Sequence, residues 1–177
     1  MDAFEQVVAE LFWSQGYWVR TSVKVNLTKK EKVAAERPTM PRPEIDLVAY
    51  HGGKNHLIAV ECKSYLDSRG VTFGEVCGDK GSTTYKLFRR PLLREIVLER
   101  LARQSVEEGL CRPGVTVQLG MVAGKIAGSD EPKLRALFVE RGWFFEGPSW
   151  LKAQIKLLST GSYENQVTAV VSKLLLR

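Results

Sequence analysis

Pro43-Glu44-Ile45-Asp46-Leu47-Val48-Ala49-Tyr50, then His51-Gly52-Gly53-Lys54-Asn55, then His56-Leu57-Ile58-Ala59-Val60-Glu61-Cys62-Lys63-Ser64 is the stretch whose reading decides the fold. Two apolar runs flank a Gly-Gly turn, the pattern of a β-hairpin. Side chains alternate faces along a strand. Ile58, Val60 and Cys62 therefore share one face of the second strand, while Leu57, Ala59, Glu61 and Lys63 share the other. In the first strand Ile45, Leu47 and Ala49 form one face, and Glu44 and Asp46 lie on the other. Antiparallel pairing sets Asp46, near the start of one strand, beside Glu61 and Lys63, near the end of its neighbour. Solubility alone does not call for two carboxylates and an ammonium gathered in this way. Unpaired, the carboxylates repel each other. A divalent cation resolves that repulsion, and oxygen ligands suit Mg²⁺, with Mn²⁺ as its substitute.

Phosphodiester hydrolysis uses these parts. A metal ion polarises a phosphoryl oxygen, lowers the pKa of a bound water and stabilises the leaving oxygen. A nearby lysine positions the water or steadies developing charge. The residues thus predict Asp46 and Glu61 as metal ligands, the backbone carbonyl of Cys62 as a further ligand, and Lys63 as the group that orients the attacking water. Glu44 shares the face of Asp46 and is placed to assist.

Outward from the hairpin, Asp2 to Gln15 reads as an amphipathic helix stopped by Gly16. Tyr17 to Leu27 alternates and reads as a strand. Thr28 to Pro43 is basic, polar and holds three prolines, so it reads as a loop. Gly74, Gly78 and Gly81 break Val71 to Phe88 into a loop with one or two helical turns. Pro91 to Glu108 is a helix with Pro91 in its first turn and Leu92, Ile96 and Leu101 on its apolar face. Val115 to Ala123 is a buried strand, Glu131 to Arg141 a helix and Trp143 to Glu146 a short strand. Trp150 to Leu158 and Glu164 to Leu176 are two more helices. Val167, Val170, Val171, Leu174 and Leu175 form an apolar face on the last, read as core. Trp13, Tyr17 and Trp18, at the first helix–strand junction, also read as core. The order predicts one α/β domain with a central mixed sheet of four to five strands, its core within about residues 1–125 and a helical addition over about 130–177.

The 177 residues carry a formal charge of +6. Arg20 to Arg42 holds seven basic and two acidic residues, and Lys80 to Arg103 again holds seven and two. These segments, each +5, leave −4 for the remainder. Such a distribution suits a polyanion. Lys29, Lys30, Lys32, Arg42, Lys80, Lys86, Arg89 and Arg90 are the candidate backbone-phosphate contacts. A charge run is also what an ordinary solvated surface looks like, so composition by itself does not separate the two. Cys62, Cys77 and Cys111 are odd in number and lack metal-ligand spacing, which predicts reduced thiols. No apolar run is long enough to cross a bilayer. Asp2, Glu5 and Glu10 interrupt the N-terminal apolar stretch, which argues against a secretory signal. A cytoplasmic protein is expected, nucleoid-associated when bound to DNA.

The hairpin resembles that of the PD-(D/E)xK nuclease superfamily, defined by an acidic residue followed by an acid-x-lysine strand. Glu61-Cys62-Lys63 is similar to the second half of the motif and Asp46 to the first. Among its members, small archaeal Holliday-junction resolvases and the resolvase-like YraN family carry an E-I-D-L-[IV]-A strand before a V-E-V-K strand. Here these read Glu44-Ile45-Asp46-Leu47-Val48-Ala49 and Val60-Glu61-Cys62-Lys63. The family also places a glutamate on the first helix ahead of a Gly-aromatic pair. Glu5, eleven residues before Gly16-Tyr17, matches it. Glu10 competes, but its spacing is too short. A first-turn glutamate also favours a helix dipole by itself. The resemblance covers roughly residues 4–64. It departs from the pattern where Pro43 is followed by Glu44 rather than Asp46. Asp46 is preferred as the motif acid because the apolar run follows it directly. The resemblance implies a restriction endonuclease-like fold and a Mg²⁺-dependent endonuclease acting on DNA, with RNA also open. It implies Glu5 as a supporting residue that helps bind or orient a metal or its waters. A homodimer would let two sites cut both strands, and a larger restriction, repair or transposition complex is the alternative setting. A nucleic-acid-binding or assembly module without turnover is the rival outside the enzymes.

Overall fold

Asp2 starts α1 (Ala3–Ser14). Its carboxylate accepts the Glu5 N–H at 2.8 Å, and the Glu5 side chain accepts the Asp2 N–H at 3.1 Å. This capping box satisfies two N–H groups that a helix start leaves without partners. The computed structural model describes residues 2–78, 84–161 and 165–176. After α1 come β1 (Trp18–Lys24), α2 (Lys29–Ala34), β2 (Glu44–His51), a 3₁₀ turn (Gly52–Lys54) and β3 (His56–Lys63). Two short helices, α3 (Phe73–Cys77) and α4 (Lys86–Arg89), precede α5 (Pro91–Glu107). The chain then runs through β4 (Thr116–Ala123), α6 (Glu131–Glu140), β5 (Phe144–Glu146), α7 (Pro148–Thr160) and α8 (Val167–Leu176).

The five strands form one mixed sheet in the order β1-β2-β3-β4-β5. β2 is antiparallel to both β1 and β3, while β4 lies parallel to β3 and β5 parallel to β4. The expected α/β architecture with a central mixed sheet and C-terminal helices is present. Helices cover both faces, so the central strands are apolar on both sides. On one face Val8, Leu11 and Phe12 of α1 and Leu151 and Leu158 of α7 pack on Leu47, Ala49, Ile58, Val60 and Cys62. On the other, Leu93, Val97 and Leu101 of α5 pack on Val48, Tyr50, Leu57 and Ala59. A third cluster joins Leu134 and Phe138 of α6 to Leu119 and Met121 of β4 and Phe145 of β5.

Several expectations are corrected. The segment from Thr28 is not all loop, because Thr28 and Glu31 form a second capping box that starts α2. The first strand is shorter than expected, ending at Lys24. On α5 the apolar face is Leu93, Val97 and Leu101, while Leu92 is 45% exposed. Trp13 and Trp18 are not core: they stand 54% and 76% exposed, and Tyr17 alone of that trio packs, edge-on against Phe12. The α8 face of Val167, Val170, Val171, Leu174 and Leu175 is exposed as well, because α8 turns Ala169 and Ser172 inward instead. Ile45 joins the α5-side cluster rather than that of Leu47 and Ala49, so the alternation of faces breaks at Asp46. Cys62 and Cys111 are buried, Cys77 is exposed, and all three are free thiols, as expected. No helix among the described residues is long and apolar enough to cross a membrane.

Candidate active site at the open end of the hairpin

The broken alternation is what frees Asp46. β1 pairs with Ile45 and with Leu47 but skips Asp46, and β3 begins pairing with β2 only at Leu47–Val60. Opposite the gap, Ser22 takes a left-handed backbone, φ 52°. With both ladders interrupted, the Asp46 carboxylate takes the place of a backbone acceptor: its Oδ2 receives the Cys62 N–H at 2.8 Å. Lys63 completes the group. Its Nζ lies 2.6 Å from Glu61 Oε1 and 3.8 Å from Asp46 Oδ2. The three side chains are 18–23% exposed, so solvent and ligand reach them.

The electrostatics follow from that crowding. Burial, then the charge on Glu61, push the Asp46 carboxyl up to about 6, against the pull of the Cys62 N–H and Lys63. For Lys63, burial works against the charge, but Glu61 and Asp46 outweigh it and hold the ammonium above its ordinary value. The Cys62 thiol is pushed up by burial and by the neighbouring carboxylates. It is an inert core thiol, not a nucleophile.

Glu5 is brought to the same place. Its charge acts on both Asp46 and Cys62 while its side chain serves the α1 capping box. Capping the helix and lying near Asp46 therefore coexist in one side chain. Gly124 explains how α1 approaches so closely. A Cβ there would lie 2.6 Å from the Ser64 carbonyl oxygen and 3.0 Å from the Phe4 ring. Its N–H donates to the Lys63 carbonyl at 2.8 Å, tying the end of β4 to the end of β3. Glu10 does something else. It is buried, accepts Gln6 and the Thr168 N–H at 2.9 Å, and so holds the start of α8. Burial raises its pKa, but these hydrogen bonds win and hold it low.

A cleft of about 550 Å³ opens beside Glu61. Glu44 lines it, as do Arg37, Arg42 and Lys86 from the two basic segments. None of these three cations stands in an ion pair among the described residues. The other predicted phosphate contacts are distributed differently. The Lys32 ammonium donates to the Met40 carbonyl at 2.9 Å. Lys29, Lys30, Arg89 and Arg90 do not line the cleft, and Lys80 lies outside the described residues. Sequence reasoning did not single out Arg37, although it belongs to the first basic segment. It also missed Tyr85, which lines the cleft from just before α4 and which no spacing marks.

The donor set fits a hard divalent ion only in part through the protein. Among the described residues, no three of His, Cys, Asp and Glu converge to hold one. Two carboxylates do converge, Asp46 and Glu61, and Mg²⁺ commonly takes one or two carboxylates, completing its shell with water and phosphate.

No protein-family profile and no curated protein matches the chain. Among solved structures, the crystal structure of AF1548, a protein of unknown function, aligns with a TM-score of 0.44 and 13% identity over 96% of this chain and 76% of that one.

Proposed function

We propose that the chain is a Mg²⁺-dependent nuclease that hydrolyses phosphodiester bonds in DNA. The observation that carries this reading is the convergence of Asp46, Glu61 and Lys63 at the open end of the hairpin, beside a cleft lined by Arg37, Arg42 and Lys86, none in an ion pair among the described residues. Asp46 and Glu61 would hold the ion, with the Cys62 carbonyl as the further oxygen. A bound Mg²⁺ would supply Lewis-acid polarisation of the phosphoryl oxygen and an activated water. The chain's own groups then have distinct tasks. The Cys62 N–H fixes the Asp46 carboxylate in place. Lys63, charged at neutral pH, donates a hydrogen bond to the water or to the developing negative charge. Glu5 adds negative charge behind Asp46. Arg37, Arg42 and Lys86 face the phosphate backbone. The resemblance of the hairpin to PD-(D/E)xK nucleases supports the same assignment.

The test is cleavage of plasmid and branched DNA, and of RNA, with Mg²⁺, with EDTA, and by Lys63→Ala. Metal-dependent cutting that falls about 10²-fold or more in Lys63→Ala is the expected result, on the scale of losing one charge-stabilising donor. Equal cutting by the variant removes Lys63 from the chemistry. No metal-dependent cutting on any substrate removes the enzyme. One observation favours a second reading in that case: Lys63 already neutralises Glu61 at 2.6 Å, as a purely structural pair would. Binding of nucleic acid without turnover, either alone or as a subunit of a larger nuclease complex, is that reading's signature.

A further inference from the structure

Tyr85 combines two costs at one position. Its backbone is left-handed, φ 57°, a conformation that a bulky non-glycine residue rarely keeps without a reason. Its side chain is 3% exposed, and its hydroxyl has no hydrogen-bond partner among the described residues. A buried phenol normally finds an acceptor, and one left without asks for an explanation. Burial, then the Tyr65 side chain against its hydroxyl, then the charges of Glu75 and Glu61, push the phenol well above its ordinary pKa. The approach of Tyr65 falls short of good hydrogen-bond geometry, and Tyr85 and Glu61 line the same cleft. Glu75 is engaged with the Thr72 hydroxyl at 2.8 Å. Glu61 is engaged with Lys63 at 2.6 Å. Tyr65, also left-handed at φ 47°, stands near Lys63 as well, since its charge would act on that ammonium.

The partner of Glu61 is the one that must change if the proposed metal reading holds. A divalent cation held by that carboxylate repels the ammonium it was paired with, and the carboxylate's remaining oxygen lone pairs need a new donor. We infer that Tyr85 is a positioning residue for Glu61, its hydroxyl donating to the Glu61 carboxylate when that carboxylate releases Lys63 to hold a cation. The free protein leaves this donor without a well-formed hydrogen bond, on the cleft that its future acceptor also lines. The inference rests on the proposed metal role of Glu61 and adds to it a residue that neither motif nor spacing marks. Carboxylates that ligate metals are themselves held by hydrogen bonds, and losing such a partner weakens metal binding about 10- to 100-fold.

The experiment uses the full chain and Mn²⁺ alone as probe, by calorimetric titration, together with thermal unfolding in EDTA. Tyr85→Phe is expected to melt at the same or a higher temperature than wild type without metal, because it deletes an unsatisfied buried hydroxyl. It is expected to bind Mn²⁺ 10- to 100-fold more weakly. In a Glu61→Gln background the same change should add no further loss, which reports coupling even if either single variant is poorly folded. Wild type and Tyr85→Phe with equal Mn²⁺ affinity would overturn the role of Tyr85 and leave the metal site standing. A lower melting point in EDTA with unchanged affinity would also overturn it, marking the hydroxyl as a structural bond. No Mn²⁺ binding by wild type would overturn both the inference and the metal reading.

Discussion

Asp46 is the carboxylate whose state depends most on its surroundings. Its folded pKa of about 6 lies above the ordinary value of 3.8, because burial and Glu61 disfavour its charge. Between those values the folded chain binds a proton that the unfolded chain has released. Stability of the metal-free protein therefore falls as pH rises from about 4 to about 6 and stays lowered above that. Asp46→Asn removes the charge and keeps an oxygen to accept the Cys62 N–H. Urea unfolding in EDTA should show the variant more stable than wild type by about 3 kcal/mol at pH 8, with most of the difference gone by pH 4. Added Mg²⁺ should stabilise wild type and not the variant. A variant less stable at pH 8 would instead make Asp46 a structural partner of Lys63. At this scale the sequence was informative where period two applied: Glu61 and Lys63 share a face by strand geometry alone. It was silent on Tyr85, because neither a left-handed tyrosine nor an idle buried hydroxyl leaves a local signature.

At the scale of elements, the positions of β3, β4 and α1 depend on Gly124. Its backbone conformation is not the left-handed one that favours glycine, so the argument is purely one of space. An added Cβ meets the Ser64 carbonyl, a backbone atom that cannot swing aside, next to the strand end that carries Lys63. Gly124→Ala should cost about 1–3 kcal/mol of stability as an overpacked contact. It should cut the proposed nuclease rate at least tenfold, since small misplacements of a reacting group are expensive. Gly74→Ala is the control, because nothing lies within 4 Å of a Cβ there and the change should leave activity unaltered. Circular dichroism and single-turnover cleavage read the two effects separately. The elements themselves were legible to differing degrees. The hairpin and α5 announce themselves through local periodicity. α2 was also readable in principle: Thr28-Lys29-Lys30-Glu31 is the capping-box pattern, hidden by the prolines that follow. The exposure of Trp13 and Trp18 and of the α8 apolar face was not readable, because a side chain's periodicity shows which residues travel together and not what covers them. The face switch at Ile45 coincides with the left-handed Ser22 across the sheet, a tertiary feature with no local sign.

At the scale of the whole molecule, the two basic segments are far apart in sequence, yet each sends cations to one cleft: Arg37 and Arg42 before β2, Lys86 after β3. Their placement on the cleft that Glu61 also lines is the ground on which DNA contact is proposed for them. If DNA lies in the cleft, each cation displaces a counterion as it meets a phosphate, and binding weakens with salt by a slope of about 0.9 per contact. Binding of a short duplex, measured across a salt series in EDTA so that no cutting occurs, should therefore lose about one unit of slope for each of Arg37→Ala, Arg42→Ala and Lys86→Ala. Lys29→Ala and Lys30→Ala, on α2 and outside the lining, should leave the slope unchanged. The opposite pattern would move the DNA off the cleft and onto the α2 surface, separating it from Asp46, Glu61 and Lys63. In that case the site could not act on the backbone it was assigned, and the charge distribution would belong to a different partner.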